Sequence, residues 1–233
     1  MDQVPTAPGP LPPPPTARRG SARWIWILAA VLLLLLLVGL IVMLGQPRPA
    51  SRSAVFVNLT GTVFGCSHGT ACATVAFIGG EVFGDGEART GAASEADLQT
   101  ASTAFRLEAN ATLQFQEVSD SATRLVLALG RLFVSHNAAG QDQITVEAGQ
   151  ERIDALDTRF AVVVDAQGIY VGVPDIPGPG GAPPGSVRVT LYGAQTVIPA
   201  GYELRQAPDA LLGKPTPISA IERRLWFSLS QWP

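Results

Sequence analysis

Phe105-Arg106-Leu107-Glu108-Ala109-Asn110-Ala111-Thr112-Leu113-Gln114-Phe115-Gln116 places apolar side chains at Phe105, Leu107 and Ala109, and again at Leu113 and Phe115. Arg106, Glu108, Gln114 and Gln116 fall between them. Successive side chains of a strand point to opposite faces, so this alternation predicts strands with one buried face.

The same punctuation runs outward in both directions. Short segments rich in β-branched and aromatic residues, separated by glycine and polar turns, predict strands at 54–58, 74–78, 104–108, 112–118, 123–129 and 132–135. Further strands are predicted at 143–147, 159–164, 169–173, 187–192, 196–198 and 202–205. No helical period separates them, which favours an antiparallel β-sandwich or roll over a parallel α/β fold. The proline- and glycine-rich stretch 174–185 interrupts the series and is expected to project as a tolerated loop.

At the C-terminal end the period changes. Ile218, Ile221, Leu225 and Leu229 recur at spacings of three and four, behind Pro217 and with Glu222 near the start. A short amphipathic helix over 219–230 is expected to pack on the sheet, with Trp226, Phe227 and Trp232 broadening its apolar surface. Trp226 and Trp232 are the candidate interface residues, because aromatic groups at a chain end often mark a contact surface.

At the other end, residues 24–44 form an uncharged run of 21 with leucine from 32 to 37. A helix of that length spans about 31 Å, the thickness of bilayer hydrocarbon. A cleaved signal peptide has a shorter apolar core, of roughly 7–15 residues, so a transmembrane signal-anchor is preferred, with Trp24 and Trp26 at the headgroup level. Arg18, Arg19 and Arg23 precede the run and Arg48 and Arg52 follow it, which biases residues 1–23 to the cytoplasm and the remainder to the far side. The expected order is a disordered proline-rich cytoplasmic tail (1–23, seven prolines), the transmembrane helix (24–44), a stalk (45–53), an extracytoplasmic β domain (54–216) and the C-terminal helix (217–233).

Charge excludes one class of partner. Removing Arg18, Arg19, Arg23 and Asp2 leaves 13 bases against 18 acids, with Lys214 the single lysine, so no basic footprint for nucleic acid exists. Cys66 and Cys72 flank a glycine-containing turn and are expected to form a local disulfide outside the cell; a metal site using both thiolates with His68 is the weaker alternative, having no fourth ligand. His68 and His136 are the only imidazoles, and neither sits in a setting that suggests an activated nucleophile. His136 is expected at the surface; the pairs Asp154/Asp157 and Glu95/Asp97 could serve glycan hydrolysis, but solvated turn or strand faces explain them more simply. The chain is therefore expected not to be an enzyme and to need no cofactor.

Five segments in order resemble the FecR-like extracytoplasmic domains of bacterial membrane regulators, over about residues 81–206. They are Thr90-Gly91-Ala92-Ala93-Ser94-Glu95-Ala96-Asp97-Leu98; Phe105 through Leu113; Leu127 with Gly130-Arg131-Leu132-Phe133-Val134; Ala155-Leu156-Asp157-Thr158-Arg159-Phe160-Ala161-Val162; and Val197-Ile198-Pro199-Ala200-Gly201-Tyr202. Asp157 stands where the family usually has glycine before the threonine. The resemblance implies structural roles for Gly130, Arg131, Thr158, Phe160 and Gly201.

It also implies a signal-receiving module. Regulators of this type carry a helical cytoplasmic region that engages a sigma factor, whereas residues 1–23 are proline-rich and lack a helical period. The expected function is a membrane-anchored module that senses or binds an envelope protein or ligand, without anti-sigma activity. The alternative is a structural envelope protein that associates with itself or with wall polymer.

Overall fold

The computed structural model describes residues 27–28, 31–36, 53–66, 75–119, 121–137, 143–155, 158–177, 181 and 183–229. The chain divides into two compact units, Met1–Arg48 and Pro49–Pro233. Of the first, the described residues 27–28 and 31–36 are helical and exposed. The rest of the predicted membrane segment lies outside the described residues, and no helix among those described is long and apolar enough to cross a membrane.

The second unit is mainly β. Its strands, in chain order, are β1 (Ala54–Thr60), β2 (Val63–Cys66), β3 (Glu81–Val82), β4 (Gly86–Thr90), β5 (Glu95–Gln99), β6 (Thr103–Leu107), β7 (Thr112–Val118) and β8 (Ala122–His136). Then come β9 (Gln143–Ala148), β10 (Glu151–Ala155), β11 (Arg159–Asp165), β12 (Gly168–Val173), β13 (Ser186–Leu191), β14 (Ala194–Pro199), β15 (Tyr202–Gln206) and β16 (Thr216–Pro217). A helix, α1 (Ala220–Ser228), closes the described chain.

All sixteen strands belong to one sheet with two arms that share β8. One arm runs β3-β1-β5-β6-β8-β11-β12-β15-β16 and the other β2-β4-β7-β8-β9-β10-β13-β14. The expected antiparallel pairing needs one correction. β8 and β9 run parallel, with Ala122 opposite Gln143 and Val126 opposite Glu147, so the sheet is mixed.

The pivot is Gly130. Before it β8 pairs with β7, Thr112 facing Leu129; after it β8 pairs with β6, Leu107 facing Leu132. The two strands predicted at 123–129 and 132–135 are thus one strand that changes partner at the glycine. Gly130 has φ +92°, and a Cβ there would lie 2.5 Å from the Ala111 Cα, so the close crossing with the β6–β7 turn admits only glycine.

Apolar residues of both arms meet in one buried cluster. Phe105, Leu132, Phe160 and Val162 from the first arm pack with Leu113, Phe115, Leu125 and Val146 from the second. The Phe105 and Phe115 rings, predicted to share a buried face, meet edge to face at 6.0 Å. Ala109 departs from the predicted alternation: it is exposed beside Asn110, whose φ of +57° makes the turn.

The opposite face of β8, β11 and β12 carries a second cluster. Phe133, Ala161 and Tyr170 alternate with core residues and are covered by Ile218, Trp226 and Leu229 at α1. The expected packing of the terminal helix on the sheet is therefore present, but the buried stripe is displaced. Ile221 is 80% exposed, and Glu222 and Trp226 face inward instead. Ser219 caps the helix, its side chain accepting from the Glu222 N–H at 3.2 Å. Of the strand predicted at 74–78, only an isolated bridge from Val75 to Phe64 is found among the described residues.

Candidate functional site

The first and second motifs meet through one hydroxyl. Thr90, ending β4, donates to the Glu108 carbonyl at 2.5 Å and accepts from the Ala111 N–H at 2.8 Å. Asn110 N–H donates to the Gly91 carbonyl at 3.1 Å. The Thr-Gly pair and the asparagine turn, twenty residues apart in sequence, thus build one corner, and the glycine-bearing crossing of β8 passes over it. Beside this corner Asp97 and Arg106 face each other across β5 and β6, joined at 2.7 and 2.9 Å. That hydrogen-bonded pair raises the Arg106 pKa above its ordinary value.

Arg131 follows the pivot and reaches out of the sheet to α1. Its guanidinium makes two 3.0 Å bonds to the Glu222 carboxylate, lies 3.5 Å from Glu108 and sits over the Phe133 ring. Phe133 in turn meets Trp226 edge to face at 5.0 Å. Glu203 on β15 anchors the helix entrance: it is buried, accepts from the Ser219 N–H at 3.0 Å, and pairs with Arg205 at 3.1 Å. Arg205 lies over the Tyr170 ring. Burial first, then the Glu222 and Glu203 charges, raise the Tyr170 phenol far above its ordinary pKa.

The remaining predicted residues fall into place as structural groups. Thr158 is buried and its carbonyl accepts from the His136 N–H; Phe160 is in the core. Gly201, at φ +81°, donates to the Val173 carbonyl and accepts from the Ile218 N–H, tying the β14–β15 turn to the helix entrance. Trp226, offered as a contact surface, is only 1% exposed and belongs to the helix–sheet packing. The aromatic group that α1 turns outward is Phe227, 63% exposed. Trp232, Asp157, His68 and Cys72 lie outside the described residues. Cys66 ends β2, is in disulfide form and is not a free thiol.

His136 corrects another expectation. It is fully buried at the end of β8, its Nδ1 bonded to the Thr103 Oγ1 at 2.7 Å on one side and its N–H donating to the Thr158 carbonyl on the other. No group of three His, Cys, Asp or Glu that could hold a metal is found among the described residues. A cavity of about 430 Å³ opens beside α1, between Ile176, Tyr202, Arg223, Trp226 and Phe227. Neither this cavity nor the Arg131–Glu222 link was signalled in the sequence, since both join residues tens of positions apart.

The motif strands observed here coincide with a family match. Residues 86–175 match the family described as FecR protein, within the span over which the five segments resemble FecR-like domains. Two similar solved structures are of a provisionally designated anti-sigma factor from Parabacteroides distasonis ATCC 8503, determined at 1.65 and 2.50 Å resolution. They share 14% and 12% identity with this chain, each covering 60% of it with a TM-score of 0.49. The alignments span 64% and 63% of those chains, less than two thirds of their length. No curated protein matches the sequence.

Proposed function

We propose that the chain is a single-pass membrane protein whose FecR-like domain is an extracytoplasmic sensing or interaction module. The observation that carries this reading is the FecR match over residues 86–175, on strands whose motif residues make one connected frame from Thr90 through Gly130 and Arg131 to α1. The uncharged 21-residue run at 24–44 supports anchoring in the lipid bilayer, N-terminus inside. Residues 1–23, proline-rich and without an amphipathic period, are assigned no anti-sigma activity of their own. The core common to both arms supports the sandwich-like closure, and the redox state of Cys66 supports pairing with Cys72.

Self-assembly is the second reading, favoured by β14, an outer strand with mostly exposed residues and β13 as its ladder partner. Crosslinking in intact cells, followed by affinity purification through a tag after Pro233 and mass spectrometry, separates the two. Recovery of a receptor or regulator supports the sensing module; recovery only of this chain or of wall polymer replaces it with a structural role.

A further inference from the structure

Glu151 is the first residue of β10, a strand in which Glu151, Ile153 and Ala155 are buried while Arg152 and Asp154 are not. A carboxyl group therefore occupies a position where this face of the sheet otherwise carries aliphatic groups. It is 3% exposed, and its Oε2 has no hydrogen-bond partner. A buried carboxyl oxygen without a hydrogen-bond partner is costly.

What lies around Glu151 is a cleft of about 230 Å³ where four chain reversals converge. The β9–β10 turn brings Gly149, the β11–β12 turn Asp165, the β13–β14 turn Tyr192, and the segment after β15 Asp209. Tyr192 and Asp209 hold positive φ angles of 49° and 58°, conformations that bulky residues rarely adopt and that accumulate at binding sites. Ile169 and Leu191 supply apolar wall, and no lysine, arginine or histidine is in the lining. The walls thus suit an apolar body, and the charged groups are carboxylates alone, one of them lacking a partner.

We propose that this cleft binds a small organic amine, its alkyl or aryl body against Ile169 and Leu191 and its ammonium group donating to the Glu151 carboxylate. The family match ends at residue 175, so it takes in Glu151 and Ile169 but not the part of the lining from Leu191 to Ala210. The amine site deepens the sensing reading by naming a ligand class, and the two fail separately: a negative amine titration leaves any captured partner standing.

Binding of an ammonium requires the ionised carboxylate. Burial holds the Glu151 pKa at about 7, with no charged neighbour contributing, and the other titratable groups lining the cleft are Asp165, Asp209 and Tyr192. Affinity should therefore climb about tenfold or more between roughly pH 5.5 and 7.5 as Glu151 loses its proton.

The test is calorimetric titration of the full chain, in detergent micelles, with n-butylammonium, n-butanol and butyrate. Saturable binding of n-butylammonium in the millimolar range or tighter is expected, weakened at least tenfold in Glu151→Gln, with no saturable binding of the other two. The rise with pH in the unaltered chain provides a second readout that needs no variant. Equal binding of n-butanol, undiminished binding by a folded Glu151→Gln, a pH-independent affinity, or no saturation by n-butylammonium would each overturn the site.

Discussion

At Gly130 a single missing Cβ lets one strand serve two arms of the sheet. The Ala111 backbone stands where that atom would be, and backbone cannot rotate aside as a side chain can. Gly130→Ala should therefore cost about 2–4 kcal/mol, read as a lowered urea midpoint with an unchanged slope. Glu151 has the opposite character, a residue whose cost depends on solution conditions. Its pKa is raised on folding, so the native state holds the proton more tightly than the unfolded chain does. Stability contributed by the neutral form is complete at low pH and is lost as pH rises toward about 7, then stays level. The loss is expected at about 2–3 kcal/mol. Melting curves from pH 5 to 8 should show the parent falling relative to Glu151→Gln across that window; parallel curves would remove the buried-carboxyl account.

Elements differ in how much of them the sequence reveals. β6, β7, β11 and β12 were legible because aliphatic and aromatic residues alternate along them or run together. β4 (Gly-Glu-Ala-Arg-Thr), β5 (Glu-Ala-Asp-Leu-Gln) and β10 (Glu-Arg-Ile-Asp-Ala) were missed as strands: their composition is that of turns or helices, and each is held in the ladder by neighbours on both sides. The helix was legible and its face was not. Apolar spacing selected Ile221, but Arg131 on the sheet needs a carboxylate, so the helix presents Glu222 and Trp226 one residue further on. Docking by ion pair and indole together predicts that Trp226→Ala costs about 3–5 kcal/mol, with a cavity left over Phe133. Glu222→Ala leaves Arg131 with Glu108 as its acidic neighbour and should cost about 2 kcal/mol, while Glu222→Ala in an Arg131→Met background should cost much less, because the two-bond link to the helix is already gone. Additive losses in that thermal-unfolding cycle would mean the pair does not hold the helix. The turn-end cleft was invisible for a different reason: its four reversals are separated by whole strands, and a lone glutamate between Gln150 and Arg152 reads as surface.

Across the whole molecule the chain's stability and its proposed location are carried by different segments. The residues of the main buried cluster run from Ala54 to Leu204, and those of the second from Ala104 to Leu229, all within Pro49–Pro233. The uncharged run at 24–44 has a length suited to lipid. Removing residues 1–48 should leave the melting temperature of the β unit within a few degrees of the parent, because both described clusters are built from residues 54–229. Partition should change completely. The full chain is expected to stay with the membrane pellet after alkaline carbonate extraction, whereas the shortened chain, given a cleavable export signal, should be recovered in the soluble envelope fraction. Loss of the melting transition on truncation would show that the first unit contributes to folding. A full chain released by carbonate would remove the membrane anchor and, with it, the division into an inside tail and an outside sensor. Retention of the full chain together with an intact, soluble β unit would make position and fold independent properties, so that substitutions at Gly130, Glu151 or Trp226 can be interpreted in the soluble form.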